Sequence, residues 1–403
     1  MKTVCLVACT SRKGLYPAAA EFIYKSPLFS AGRNYAETRC DQWFILSAKH
    51  GLLSPKDEIA PYNESLHDMN DGQRAHWAST VHKQLRSKIA LDANVVFLAG
   101  TAYRSHLEPL LHEEGRSTAT PMSALGIGSQ VAWLQKVANS RARIAHIDRF
   151  YSLLGRLATV GAGSRQSLSS FTAKSIPAKR GVYFFFEQGE RRMTSPFDDR
   201  VTRIGTHSVS LGSKATLWNR LRTHRGGGSG IGNHRGSIFR LHVGDSIIRR
   251  SEFQTVFTTW GVGQSAPKEV RANEEEIELE VSAIIGRMPV IWLEVGDAAS
   301  ADSDRTYIER NLIALLASPR GPIDLPSAGW LGAWSTREAI RASGLWNVNH
   351  VYEQYDPAVL DVLERYVEMA EGTRAPTDLS LAPNGWRLKL IQSRHTGPQI
   401  ELI

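Results

Sequence analysis

The sequence predicts an α/β amino-terminal domain with a doubly wound, mainly parallel sheet, followed by an α+β domain built on a small antiparallel sheet flanked by helices. Short apolar runs at Thr3–Ala8, Trp43–Ser47 and Asn94–Leu98 are typical of strands buried on both faces. Helical patterns lie between them, at about Pro27–Thr38 and Gly72–Leu91. Strands that alternate with helices indicate a parallel sheet. The second half of the chain has aromatic strands followed by helices instead.

The length of 403 residues is too great for one ordinary core and predicts more than one domain. An amphipathic helix at about Ser129–Ala138 closes the first domain, and a short helix is expected at Arg149–Leu157. Small residues, including Gly161 and Gly163, make Ala158–Lys174 a linker. The predicted divisions are 1–145 for the first domain, 146–174 for a helix and linker, 175–320 for the second domain, and 321–403 for an extension that packs on it.

The composition indicates a globular protein with an anionic partner. Apolar residues make up 42% and charged residues 22%, and the formal net charge is +8. Three scattered cysteines, Cys5, Cys9 and Cys40, argue against a disulfide framework and against a cysteine zinc site, and they fit a reducing cytoplasm. The sequence predicts no membrane-spanning segment, and the apolar start is expected to be a buried strand, not a leader.

Two strand patterns and two helix patterns in the second half carry the chemistry. Gly181-Val182-Tyr183 begins an aromatic strand, and Arg203-Ile204-Gly205 lies near the end of a second strand. Arg220 and His224 are four residues apart, so they share one face of the following helix. Glu309 lies on a later helix, Thr306–Leu316.

In this order the elements resemble the GIY-YIG nuclease family over about residues 175–320. That family has a Gly-Ile-Tyr strand, a Tyr-Ile-Gly strand, a helix with an essential arginine and a later helix with a metal-binding glutamate. The family tyrosine of the second strand is replaced by Arg203, and Asn347 or Asn349 stands in for a late asparagine. The resemblance implies a metal-dependent endonuclease that uses Mg²⁺ (or Mn²⁺) and acts on DNA.

The residue types suit phosphodiester hydrolysis, which needs a stabilised phosphate charge and an activated water. Glu309 would bind the metal, and Arg220 would offer a planar fork to the scissile phosphate. Tyr183 would orient or deprotonate the water, and His224 or His207 would relay the proton. Arg203 is also counted among the predicted catalytic residues. It replaces the family tyrosine, and this replacement leaves open which group activates the water.

Several residues around this site are predicted to contact nucleic acid. The glycine-rich segment Gly226–Gly232 could wrap a phosphate backbone or form a flexible surface loop. The acidic run Glu274–Glu280 is expected to be a solvated helix face, and Asp304 is expected to cap the Glu309 helix. The predicted nucleic-acid-binding residues are Arg222, Arg225, His234, Arg235 and Asn349.

The first domain has polar, basic turns directly after its first two strands, where doubly wound folds bind ligands. Cys9–Lys13, Tyr24–Phe29 and Trp43–Leu53 resemble an uncharacterised α/β family, and there is a more distant similarity to the archaeosine synthase core and uracil-DNA-glycosylase-like folds. The resemblance implies recognition of a base or modified base. The predicted ligand-site residues are Ser11, Arg12, Lys13, Lys49, His50 and Tyr62.

Three functions fit these features. The first is a restriction or anti-phage endonuclease whose amino-terminal domain selects DNA, including modified phage DNA, with a homodimer as one expected assembly. The second is a base-excising, glycosylase-like enzyme coupled to strand incision. The third is a nucleic-acid-binding protein without catalytic activity, which the arginine at position 203 favours.

Overall fold

The computed structural model describes residues 1–160, 165–207, 215–228, 230–298, 300–377 and 379–387. The chain divides into two compact units, one formed by residues 1–141 with 191–198 and the other by residues 142–190 with 199–403. Gly161 and Gly163, on which the linker prediction relies, lie outside the described residues. In the described part of the chain, no helix has the length and apolar character that a membrane span requires.

The first unit contains a five-stranded sheet with the order β4-β3-β1-β6-β7. The three predicted strands form its centre, and β1 pairs in parallel with β3 on one side and with β6 on the other. The chain then turns back after β3, so that β4 is antiparallel to it, where the sequence suggested only a turn. The strands are β1 (Thr3–Ala8), β2 (Ala18–Ala19), β3 (Gln42–Ser47), β4 (Gly51–Leu53), β5 (Glu58–Ile59), β6 (Asn94–Leu98) and β7 (Thr118–Ala119).

Side-chain caps set the ends of the main helices of this unit. Ser26 caps the second helix by accepting the Phe29 N–H, and proline occupies its first turn. Asn70 and Gln73 form a reciprocal capping box at the start of the third. The helices are α1 (Ala20–Ile23), α2 (Pro27–Arg39), α3 (Asp71–Arg86), α4 (Thr101–Arg104), α5 (Leu107–Glu113) and α6 (Ile127–Asn139).

The scattered cysteines argued against a disulfide framework, but one disulfide is present, between Cys5 and Cys40. Cys5 lies in the middle of β1, and Cys40 follows the last residue of α2, which packs on that strand. Their Cα atoms are 6.0 Å apart, a separation that a disulfide can bridge. A pair separated by 35 residues has no local sequence signal, since only the packing of α2 on β1 brings the two together.

The second unit is built on a four-stranded sheet with the order β10-β9-β11-β8. β11 is antiparallel to both β9 and β8, and Tyr183 on β9 lies opposite Trp292 on β11. The strands are β8 (Gln166–Ser167), β9 (Gly181–Arg191), β10 (Asp199–Thr206) and β11 (Pro289–Glu294).

Helices pack on this sheet and bury its aromatic residues, among them Tyr183 and Phe185, to which the second of the long helices adds Phe239. The first helix of this unit is longer than the predicted helix Arg149–Leu157, because its buried apolar positions begin at Ile144. The helices are α7 (Arg141–Thr159), α8 (Leu217–Arg225), α9 (Ile238–Arg250), α10 (Lys268–Asn273), α11 (Glu275–Arg287), α12 (Asp304–Ala317), α13 (Glu338–Ser343) and α14 (Val359–Ala370).

The carboxy-terminal tryptophans mostly belong to the core. Trp330, Trp346 and Trp386 are buried, whereas Trp334 is 37% exposed. The Glu187 carboxylate, on β9, accepts the indole N–H of Trp330 at 3.0 Å and that of Trp346 at 2.6 Å. Burial raises the pKa of Glu187, and the two indole hydrogen bonds oppose that shift. These contacts tie the segment after α12 to the central sheet.

The cap of α12 is Ser303, and the expectation that Asp304 provides it is wrong. Asp304 is fully buried, and its carboxylate accepts hydrogen bonds from the Tyr366 hydroxyl at 2.6 Å and from the Leu381 and Ala382 N–H groups at 2.7 and 3.1 Å. The Ser380 hydroxyl also donates to it. Asp304 therefore ties the start of α12 to α14 and to the segment that follows α14.

Replacing Asp304 with Asn is expected to destabilise the second unit. The amide NH₂ would face N–H and O–H donors, so at least one of these buried donors would lose its acceptor, at a cost of about 2–3 kcal/mol. Thermal unfolding should show a melting temperature lower by roughly 5–10 °C. The matched control is Asp302→Asn, whose side chain is largely exposed. Equal melting temperatures for the two variants would contradict this role of Asp304.

Candidate active site

A buried tyrosine–histidine pair lies at the centre of the second unit. Tyr183 is on β9 and His224 is on α8, and neither side chain is exposed. The Tyr183 hydroxyl is 2.8 Å from His224 Nε2, and His224 Nδ1 is 2.7 Å from the Ser237 hydroxyl. Phe185 and Phe239 meet the imidazole edge-on. The sequence placed Tyr183 and His224 in one site, and the structure brings them into direct contact.

His224 is held in its neutral form. Burial lowers its pKa well below the ordinary histidine value, and the nearby charges of Arg220 and Arg203 lower it further. Ser237 is the N-cap of α9, and its hydroxyl oxygen accepts the Arg240 N–H at 3.3 Å. With a proton on Nδ1 shared with Ser237, Nε2 is free to accept the hydroxyl proton of Tyr183. Ser237 therefore orients the ring, a role that the sequence analysis missed although serine is a common residue at a helix start.

The second strand pattern ends in glycine because no side chain fits at position 205. An ideal Cβ placed on Gly205 would lie 2.3 Å from the Tyr183 hydroxyl oxygen and 2.4 Å from its ring. Real Cβ atoms do not approach this closely. The phenol thus lies directly against the backbone of β10, and any side chain at this position would displace it.

Arg203 occupies the interior instead of reaching into solvent. Its guanidinium donates to the Trp346 carbonyl and lies 4.6 Å above the centre of the Phe239 ring. Burial lowers the pKa of Arg203, whereas the neighbouring Tyr183 and Glu309 side chains raise it. Within the described residues, Nε has no hydrogen-bond partner. The residue that replaces the family tyrosine is therefore a buried cation near both Tyr183 and Glu309.

Glu309 is on α12 and faces the end of β10. Its Oε1 atom accepts the Thr206 N–H at 3.2 Å, and the Thr206 hydroxyl donates to the Gly181 carbonyl at 2.8 Å. Burial raises the pKa of Glu309 to about 7, while the charges of Arg203 and Arg220 oppose this shift. The residue as a whole is nevertheless partly exposed.

Arg220 is the accessible cation of the site. It lies on α8 one turn before His224 and is partly exposed. Its charge lowers the pKa values of Arg203, His207 and His224 and favours the ionised form of Glu309. Its guanidinium forms no hydrogen bond or ion pair with another described residue. Arg220 is thus close enough to influence both His224 and Glu309, and Arg203 is close enough to influence the same two residues.

His207 follows β10 and is tied to the backbone. Its Nε2 atom is 3.1 Å from the Lys179 carbonyl, and its Nδ1 atom is buried without a partner among the described residues. Burial lowers the pKa of His207 to about 4. A neutral imidazole that donates to a carbonyl is a weak choice for a proton relay, and His224 is the better placed of the two histidines.

The residues predicted to bind nucleic acid fall into two groups. Arg222 and Asn349 are exposed. Arg225 instead donates to the Phe171 carbonyl at 2.8 Å and lies 5.0 Å from the Trp218 ring centre. Asn347 is buried and exchanges two hydrogen bonds with the backbone of Ile204, so it supports β10 from below. Of these residues, Arg222 and Asn349 have side chains that DNA could reach.

His234 and Arg235 are used internally. His234 Nδ1 is 2.9 Å from Glu278, and its ring stacks on Trp260 at 3.8 Å. Arg235 forms a two-pronged, buried ion pair with Glu274. The structure therefore does not present these two side chains to a polyanion.

The same contacts correct the expectation for the acidic run Glu274–Glu280. Glu274 and Glu278 are buried and act as counter-ions, and Arg240, which is fully buried, pairs with Glu278. An ideal Cβ on Gly232 would lie 2.0 Å from the Arg240 guanidinium carbon. Gly226 and Gly232 thus lie against an internal arginine, and the charges of Arg235 and Arg240 are neutralised by Glu274 and Glu278.

The predicted ligand-site residues of the first unit largely gather at the carboxyl ends of β1 and β3. Lys13 Nζ lies 3.9 Å above the Tyr62 ring centre, and His50 meets the same ring edge-on. The Tyr62 hydroxyl is 2.9 Å from that of Tyr24 and 2.8 Å from that of Ser47. Lys49 pairs with Glu64 at 3.6 Å, and Ser11 and Arg12 are exposed in the preceding turn.

The site offers one carboxylate, that of Glu309, as a ligand for a divalent metal. Among the described residues, no group of three or more histidine, cysteine or acidic side chains forms a metal cluster. The second carboxylate oxygen of Glu309 makes no hydrogen bond to another described residue, although the side chain is accessible. Mg²⁺ is commonly bound by one or two carboxylates together with substrate phosphate and water, and Glu309 can supply that single carboxylate.

Comparison with known proteins assigns both halves of the chain to families. Residues 141–373, more than half of the chain, match the GIY-YIG domain, and the chain belongs to this family of nucleases. Residues 4–136 match a family of unknown function, DUF6884. These matches confirm the predicted fusion of a GIY-YIG domain to a separate amino-terminal domain.

One curated relative is the uncharacterized protein YfjM of Bacillus subtilis (strain 168). It is 30% identical to this chain over 148 residues, which are 35% of this chain and 98% of that protein. No solved structure matches the chain. The distant similarity of the first domain to archaeosine synthase and uracil-DNA-glycosylase-like folds stays a prediction.

Gly205→Ala is expected to displace Tyr183 from His224. The new methyl group would overlap the phenol ring in a tightly packed core, so we expect a cost of about 1–3 kcal/mol and a lower melting temperature. The control is Gly296→Ala, where a Cβ meets no atom within 4 Å. Unchanged thermal unfolding of the Gly205 variant would contradict the close contact between Gly205 and Tyr183.

Proposed function

We propose that this protein is a metal-dependent endonuclease that hydrolyses DNA phosphodiester bonds at the site formed by Tyr183, Arg220, His224 and Glu309. The observation that carries the proposal is the presence of two partly exposed charged residues, Arg220 and Glu309, close to the buried Tyr183–His224 pair. A cation with no partner among the described residues and a carboxylate with a raised pKa are costly arrangements. Such costs are typical of catalytic sites.

Arg220 is the group we assign to the scissile phosphate. Its planar guanidinium can donate two parallel hydrogen bonds to phosphate oxygens, and no described carboxylate competes for it. Arg203 lies behind it and adds positive potential without contacting solvent. Both charges act where negative charge accumulates during phosphoryl transfer.

Tyr183 and His224 form the proton-handling half of the site. Neutral His224 accepts the hydrogen bond of the Tyr183 hydroxyl on Nε2 and so fixes the direction of that O–H group. The lone pairs of the Tyr183 oxygen would then orient the attacking water, and the positive charge of Arg203 would stabilise negative charge that develops there. Contact between this oxygen and the attacking water requires that DNA binding open the edge of Tyr183, which is closed in the free protein.

Glu309 would hold one Mg²⁺ (or Mn²⁺), which supplies a positive charge at the phosphate and a more acidic bound water. The Thr206 N–H fixes one carboxylate oxygen and leaves the other available.

The biological setting we propose is restriction or anti-phage defence in the cytoplasm, with the first unit selecting DNA, including modified phage DNA. The support is the fusion of a nuclease domain to a second domain that carries a basic, tyrosine-containing site around Lys13 and Tyr62. Arg222 and Asn349 are the exposed residues that we assign to DNA contact in the second unit. A homodimer is part of this proposal, since two sites are needed to cut both strands in one event.

A second candidate is a DNA-binding protein without nuclease activity. The replacement of the family tyrosine by Arg203 and the full burial of Tyr183 favour it. Steeply salt-dependent DNA binding without cleavage under any divalent metal would select this alternative.

We expect Glu309→Gln and Arg220→Ala to abolish cleavage of plasmid or modified phage DNA in Mg²⁺. Each variant removes an interaction made mainly with the charged transition state, so the rate should fall by about 10²-fold or more. Controls are Glu276→Gln and Arg249→Ala, which change exposed residues away from the site. No cleavage by the unaltered protein, or equal rates for the site variants and controls, would refute the proposal.

Tyr183→Phe separates chemistry from packing, because it keeps the buried ring and removes only the hydroxyl. We expect a cleavage rate lower by about 10²–10⁴-fold with little change in DNA affinity or melting temperature. Single-turnover kinetics at saturating protein measures the chemical step directly. A rate within a few-fold of the unaltered protein would show that Tyr183 only packs in the core.

A further inference from the structure

A cavity of about 320 Å³ lies in the first unit at the carboxyl ends of the neighbouring strands β1 and β6. β1 is the first strand of the chain, β3 lies on one side of it and β6 on the other, so the order of the sheet reverses at this point. Crevices at such reversals are the usual ligand sites of doubly wound sheets, and the volume is within the range of small-molecule pockets. The residues proposed above around Lys13 and Tyr62 lie at the β1–β3 side instead.

The lining of this cavity suits an uncharged ligand with flat apolar faces. Phe29, Phe97 and Leu134 contribute apolar surface, and Thr10 and Tyr103 contribute neutral hydroxyl groups. The charged lining residue Arg104 is engaged with Glu108 at 3.2 Å. A phosphate or carboxylate would therefore find little compensating charge here.

Thr10 provides a direct sign of a missing partner. Its hydroxyl oxygen is buried and makes no hydrogen bond within the described part of the chain. A buried hydroxyl without a partner is unfavourable, and a ligand edge with a donor or acceptor would satisfy it. The Tyr103 hydroxyl nearby contacts Cys9 Sγ at 3.1 Å, and burial raises the pKa of Tyr103, so it stays protonated as a neutral donor.

We infer that this cavity is a binding site for a nucleobase or nucleoside. A heterocyclic base has two apolar faces for the aromatic and aliphatic walls and an uncharged edge of donors and acceptors for the hydroxyls. The ligand can be a free nucleoside or a base turned out of DNA, which share this chemistry. The inference does not depend on the nuclease activity proposed above.

Gly100 offers a way to block the cavity without disturbing the backbone. It lines the cavity, a Cβ on it meets no atom within 4 Å, and its φ of −72° suits any residue. Gly126 is the matched control, because it also precedes a helix, has a φ of −65° and open space at its Cβ, and is not part of the lining.

The first experiment is calorimetric titration of the full-length protein with free nucleobases and deoxynucleosides. We expect at least one to bind, Thr10→Val to weaken it by about fivefold or more, and Gly100→Leu to abolish binding. Gly126→Leu and Glu309→Gln should bind like the unaltered protein, which separates this site from the nuclease site.

A second experiment uses DNA that contains 2-aminopurine, whose fluorescence rises when the base leaves the stack, with EDTA present to prevent cleavage. A rise that Gly100→Leu removes and Gly126→Leu keeps identifies DNA as the source of the base, whereas binding of free nucleosides alone identifies a soluble ligand. The inference is overturned if neither probe responds at millimolar ligand, or if Gly100→Leu responds like Gly126→Leu.

Discussion

The hydrogen bond between Tyr183 and His224 holds together the elements on which the second unit depends. It joins β9 to α8 inside an aromatic core, and through Ser237 it reaches the first turn of α9. Gly205 closes the same contact from β10, since no side chain fits between its backbone and the phenol. Four elements meet at one buried polar pair, so there is little room for neighbouring side chains. Gly205 has no side chain, and Ser237 is small and holds a hydrogen bond to His224.

Arg203 is buried beside this tyrosine–histidine pair. Burying a guanidinium beside a phenol costs desolvation energy, and the Trp346 backbone carbonyl, the Phe239 ring and the Glu309 charge offset that cost. The replacement therefore changes the site from a pair of tyrosines to one tyrosine backed by a fixed cation. The partly exposed charged residues of the site are then Arg220 and Glu309, which lie on different helices, α8 and α12.

Local patterns predicted the parts of the fold that local physics determines. The strands Thr3–Ala8 and Asn94–Leu98 were recognisable because continuous apolar runs are typical of buried parallel strands, and the Arg220–His224 spacing directly gives one helix face. The Cys5–Cys40 bond and the pairing of Arg235 with Glu274 were not predictable, since each joins residues far apart in sequence. The basic stretch around Arg235 and Arg240 suggested a DNA-binding surface. In the structure these two arginines form ion pairs with Glu274 and Glu278 instead.

We propose that water attacks the DNA phosphate directly at this site, and that Tyr183 orients this water and is not itself the nucleophile. Single-turnover cleavage in ¹⁸O-labelled water, followed by mass spectrometry of the products, tests this most directly. The account predicts one ¹⁸O atom in the new terminal phosphate and no DNA adduct on the protein. A trapped phosphotyrosine at Tyr183, or a terminal phosphate without ¹⁸O, would contradict it.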